Sequence, residues 1–213
     1  MGQTQDSLRA PLERITVDNL ILKAILAIGK AILLPATVFV SGVVIMRIVS
    51  GHHYVNQRLR ERAAPEDRSG LNMRPRGYDA PAVNRHWGAL DARALDSERR
   101  FLQVDLAFPI FYGAAFAVAL LRAGAGLGAS FSPVWFLAPV AVTVIADWSE
   151  NLIHLAQLRL FTQRGSAGLQ ADWIRVASTA TIVKLLFFWG TLLLLILLAI
   201  YTVLRPNEIM KNN

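Results

Sequence analysis

Cysteine is absent from this chain, which removes disulfides, thiolate nucleophiles and cysteine-ligated metals. Charge is scarce as well. Only 17% of residues are Asp, Glu, Lys or Arg, against 54% hydrophobic, a balance outside that of ordinary soluble domains. No basic n-region followed by a short apolar stretch and a cleavage site opens the sequence. The first 18 residues are polar and mix acids with Arg9 and Arg14, so the first apolar run is expected to be retained. No internal repeat, low-complexity tract or cofactor motif is found, and no cofactor is expected. The glycine-rich stretch at 122–130 follows an apolar helix rather than a strand, so it reads as a tight turn and not a phosphate cradle.

What is present is apolar sequence in long runs. Four of them, at about 20–50, 101–121, 131–158 and 176–204, meet the length of about 20 residues that a helix needs to cross a bilayer. The fold class that follows is all-α, an integral membrane bundle of four transmembrane helices in one membrane domain over 1–213. Too little soluble sequence remains for a second core. Lys23 and Lys30 share one face of the first run and can reach water along their stems, and Pro35 predicts a kink.

The net charge of +7 reflects topology rather than nucleic acid, which is not expected as a partner. Ten arginines lie in the loop 51–100, and Arg159, Arg164 and Arg175 lie between the third and fourth runs. The positive-inside rule then places both segments in the cytoplasm and both termini outside. The loop reads as irregular to about Pro81. Beyond it, Trp87, Leu90, Ala94 and Leu95 recur at helical spacing among Asp91, Arg93, Asp96 and Glu98, predicting an amphipathic helix on the cytoplasmic surface. Residues 169–174 predict a short interfacial helix, with Trp173 in the aromatic belt.

The third run carries a polar stripe. At 100° per residue, Asp147, Glu150, Asn151 and His154 fall within an arc of about 100°, with Thr143 one turn earlier. Charges at such depth cost about 2.5–3.5 kcal/mol each and demand compensation. Alternating helix directions bring Asp105 of the second run, Lys184 of the fourth and Arg47 of the first to the same leaflet. Three carboxyls, two cations, an imidazole and an amide at one level suggest acid/base chemistry. Asp147 and Glu150 would act as acid and base and His154 as a proton shuttle. Lys184 and Asn151 would orient a ligand oxygen, with Asp105 and Tyr112 on the same wall. The same groups could instead only fix helix packing. A metal is not expected, because Lys184 would repel it and the Glu-to-His spacing of four differs from the three of di-iron bundles. His52 and His53 read as interfacial loop residues.

The segments Asp105-Leu-Ala-Phe-Pro-Ile-Phe-Tyr112-Gly113, Asp147-Trp-Ser-Glu150-Asn151 and Thr181-Ile-Val-Lys184 together resemble a pattern of small bacterial four-span membrane proteins. The resemblance covers about 101–186, and implies a shared bundle in the bacterial inner membrane and no particular activity. The expected function is binding, with possible conversion, of a lipid-soluble molecule by acid/base chemistry. The alternative is a non-catalytic subunit of a membrane complex or a small proton-coupled transporter. Expected partners are membrane lipids, a lipid-soluble ligand or another membrane protein.

Overall fold

A computed structural model describes residues 6–125 and 133–204. Among them the chain forms seven α-helices and no strand: α1 (Asp6–Ser50), α2 (His53–Arg62), α3 (Ala80–Gly88), α4 (Ala92–Asp105), α5 (Phe108–Gly124), α6 (Ala138–Arg164) and α7 (Ala171–Leu204). Four helical stretches are long and apolar enough to cross a membrane: Asn19–Ser50, Ala92–Gly124, Val134–Gly168 and Ala171–Leu204. The architecture is thus the expected all-α bundle. The glycine-rich turn predicted at 122–130 lies mostly outside the described residues.

The boundaries differ from expectation at one end of the bundle. The second crossing begins at Ala92 rather than near 101, because Asp91 caps α4 by accepting from the Ala94 N–H at 2.9 Å. It is also two helices, α4 and α5, with a break at Leu106 and Ala107 ahead of Pro109. The third crossing opens with a 3₁₀ turn (Pro133–Leu137), and Pro139 sits in the first turn of α6, where its missing N–H costs nothing. The separate helix predicted at 169–174 does not form. Neither proline nor glycine occurs between Gly168 and Gly190, so α7 simply starts at Ala171 and takes Trp173 into its first turn. α1 runs unbroken through Pro35, which is buried.

The arginine-rich loop is not irregular. It folds into a cap made of α2, two 3₁₀ turns (Pro65–Asp67 and Leu71–Met73), α3 and the start of α4. Val55, Leu59, Leu71, Val83, Trp87 and Leu90 form a core there, so a second core does exist. Its apolar material is borrowed: Leu102, Leu158 and Ile174, from α4, α6 and α7, complete it. The predicted amphipathic helix is divided between α3 and α4, because Asp79 and Asp91 each cap a new start through the Ala82 and Ala94 amides. Glu98, expected on its wet face, is buried. His52, expected at the interface, is turned inward against Phe101, ring centroids 4.4 Å apart.

Asp67 ties the cap together. Its carboxylate accepts from Arg85 at 2.7 Å and Arg74 at 3.2 Å, and its carbonyl lies 3.1 Å from His86 Nδ1. The Arg85 hydrogen bond, followed by that of Arg74 and the charges of both, outweighs burial and holds the Asp67 carboxyl below the usual carboxylate range.

The second core fills the bundle: Met46, Phe101, Phe108, Phe116, Leu120, Val140, Leu195 and Leu198, with Phe39 and Phe188 stacked among them at centroid separations of 5.1–5.4 Å. α1 lies at its edge, with 11% of its most apolar window buried against 50% for the second crossing. Its lipid-facing surface needs no water-compatible residues.

Candidate functional site

The predicted stripe on α6 points inward along its whole length. Thr143, Asp147, Glu150, Asn151 and His154 are all buried, with Glu150 and Asn151 fully so. Lys184 of α7 meets them. Its ammonium donates to Asp147 Oδ1 at 3.0 Å and forms a close ion pair with Glu150. Tyr112 of α5 donates to the other Asp147 oxygen at 2.8 Å. The Asn151 amide spans 3.4 Å to Asp147 Oδ1 and 3.5 Å to the Asp105 carbonyl. Asp105 is buried beside the same charges. One network therefore joins α4, α5, α6 and α7, and brings together six of the residues read from the sequence.

Arg47 is not among them. It lies exposed on α1 while its neighbour Met46 faces the bundle. Three carboxyls consequently share one ammonium, a formal excess of two negative charges. Glu150 Oε1 and Asn151 Oδ1 have no hydrogen-bond partner among the described residues. Such atoms are costly to bury unfilled.

The break between α4 and α5 belongs to this site. Pro109 has no N–H for the Asp105 carbonyl, and the Ile110 amide bonds Ala107 instead of Leu106. α6 covers both freed carbonyls: Asn151 approaches that of Asp105, and Trp148 Nε1 donates to that of Leu106 at 2.8 Å. Changing Trp148 to Phe keeps a ring but strands the Leu106 carbonyl. The expected cost is about 1 kcal/mol, seen as a thermal midpoint about 2–4 °C lower in detergent.

Among the described residues His154 makes no hydrogen bond to the acids. Its Nε2 lies 2.7 Å from the Tyr78 hydroxyl, which is also 3.1 Å from Thr181 Oγ1. Tyr78 was missed in the sequence, where it is one tyrosine in a polar loop. Gly77, at φ 77°, turns the chain against α7, and the Tyr78 N–H donates to Ser178 Oγ at 2.8 Å, so the ring is delivered downward from the cap. A Cβ at Gly77 would stand 2.5 Å from the same Ser178 oxygen. The signal was available as Gly-Tyr-Asp ahead of an N-cap. Burial, then the Glu150 charge, pushes the Tyr78 phenol above its ordinary range.

On the far side of His154 lies a cavity of about 20 Å³, lined in part by His52, His86 and Glu98. That is the room one water needs. His86 Nε2, His52 Nδ1 and Glu98 Oε2 are buried without hydrogen-bond partners among the described residues. His52 and Glu98 approach to 3.6 Å. No set of three side chains suited to a metal occurs among the described residues.

The fold and this interior define a class: a polytopic helical membrane protein with a buried acid–lysine cluster beneath a folded cap. Compared with known proteins, the chain matches no family model, no curated protein and no solved structure.

Proposed function

We propose that the cluster binds the polar end of a lipid-soluble molecule and exchanges a proton with it. The observation that carries this reading is the excess of acid over cation at a fully buried place where Glu150 Oε1 and Asn151 Oδ1 lack donors. A ligand that matches it brings hydrogen-bond donors, such as a hydroxyl or an amine, on an apolar body. Glu150 and Asp147 then serve as base and acid, with Lys184 holding the carboxylates in place and Tyr112 and Asn151 orienting them. The basic cap and third linker support a bacterial inner membrane orientation with the cap in the cytoplasm. The resemblance of about 101–186 to small bacterial four-span membrane proteins supports the same setting.

Mass spectrometry of small molecules extracted from protein purified in mild detergent tests this. The wild-type chain is expected to carry a stoichiometric apolar ligand, and Glu150→Gln, which loses the charge but keeps the shape, to carry at least tenfold less. Equal recovery from both proteins would remove Glu150 from the site. A wild-type protein with no ligand would favour the second reading, a proton-coupled transporter or complex subunit. The Tyr78–His154 contact supports that reading, because it leads from the cluster toward the cap.

A further inference from the structure

We propose that the groove between α4 and α6, on the cap side of the cluster, is a binding site for an anionic phospholipid of the surrounding bilayer. The groove has a volume of about 740 Å³. Two helix faces line it. On α4 they are Leu95, Asp96, Arg99 and Gln103; on α6 they include Leu155 and Arg159. Leu95, Leu155 and Leu158 give it an apolar part, and Asp96, Arg99, Gln103, Arg159, Thr162 and Gln163 a polar one.

The two arginines stand at one height. α4 and α6 run antiparallel, and the Asn151 amide marks a common level with the Asp105 carbonyl. At 1.5 Å per residue, Arg99 lies about 9 Å and Arg159 about 12 Å beyond that level, toward the cap. That is the depth of the basic boundary of the bundle, where a headgroup phosphate lies while its acyl chains continue down between the helices.

Charge complementarity selects the occupant. Asp96 is already satisfied, one oxygen accepting from Arg99 and the other from Arg100, each at 2.6 Å. The three together keep one positive charge. The Arg159 guanidinium adds another, exposed and with no acidic partner among the described residues. A groove with an apolar part and an unmatched guanidinium suits a phosphodiester on two fatty chains. A zwitterionic lipid brings its own cation and gains less.

The test is native mass spectrometry of the intact protein released from nanodiscs containing equal parts phosphatidylglycerol and phosphatidylcholine with the same acyl chains. The expected result is one phosphatidylglycerol retained per chain, in clear preference to phosphatidylcholine. Removing one charge, by Arg159→Gln or Arg99→Gln, should cut the retained fraction about fivefold. Arg164→Gln, outside the groove, should leave it unchanged. Ala156→Trp fills the groove without altering charge and should expel the lipid while circular dichroism and thermal midpoint stay at wild-type values. Equal retention of both lipids, or phosphatidylglycerol retention unaffected by Arg159→Gln and by a folded Ala156→Trp, overturns the assignment. So does saturation of the groove by inorganic phosphate alone. None of these outcomes depends on what the acid cluster binds.

Discussion

Changing Lys184 to Met is expected to cost the protein about 3–5 kcal/mol, the usual penalty for breaking a buried ion pair from one side. Among the described residues Lys184 is the sole cation in contact with Asp147 and Glu150, and both acids are buried. Removing it leaves them, among the described residues, with the Tyr112 hydroxyl and a long amide contact from Asn151. The thermal midpoint in detergent should fall by about 6–20 °C, taking about 2–4 °C per kcal/mol for a chain of this size. Neutralising the acids in the same background separates charge from packing. Lys184→Met combined with Asp147→Asn and Glu150→Gln should recover most of the loss, since a buried pair removed from both sides is often nearly neutral. A triple variant as unstable as the single one would show that Lys184 acts through its packed stem and not its charge.

Acidification is expected to unfold the cap before the bundle. His52 and His86 are both pushed down to about 4, chiefly by burial; Arg47 adds to the effect at His52 and Arg74 at His86. Both are therefore neutral in the folded protein at pH 7. An unfolded chain takes up these protons near pH 6.5, while the folded one resists until about pH 4. At these two histidines the unfolded state binds more protons between those values, so their contribution to stability falls as pH falls. The contribution is complete above about pH 6.5 and lost by about pH 4, at most about 3 kcal/mol for each histidine. Asp67 does not blur this window, because its depressed carboxyl takes up a proton only below the ordinary carboxylate range. Tyr78, shifted upward, matters only above pH 10. Trypsin offers a direct reading, since ten arginines lie in 51–100. Cleavage there should accelerate when the protein is equilibrated at pH 5 and returned briefly to pH 8 with protease. His52→Phe with His86→Gln should flatten the dependence. A wild-type cleavage rate that ignores pH would sink the prediction.

The bundle was legible because hydropathy reports burial in lipid directly, and the four apolar runs have no competing explanation. The stripe on α6 was legible because a regular helix converts spacing into direction, and every member from Thr143 to His154 proved buried. Depth was legible too, from helix rise and alternating direction, which is why Lys184 meets Asp147 and Asp105 lies beside them, while Tyr112 was legible from its place on the same face as Asp105. Azimuth was not. Arg47 has the right height and the wrong side, one step of 100° from Met46, and no rule of spacing within α1 says which face meets α5. The cap was hidden for a different reason. Its loop is rich in arginine and proline, the composition of a solvated linker, and its core is completed by Leu102, Leu158 and Ile174 on the crossing helices. A segment that folds on borrowed apolar surface carries too little of its own to be recognised. Tyr78 went unseen with it.

The ion network also sets an order for biogenesis. Asp147 leaves the ribosome 37 residues ahead of Lys184, and Asp105 earlier still. At about 5–20 residues per second, Asp147 waits about 2–7 s for its counter-charge and Asp105 about twice as long. During that interval each would cost about 2.5–3.5 kcal/mol in lipid. Insertion of the last three crossings as one unit would avoid that cost. α1, which contributes no charge to the network, can enter alone and first.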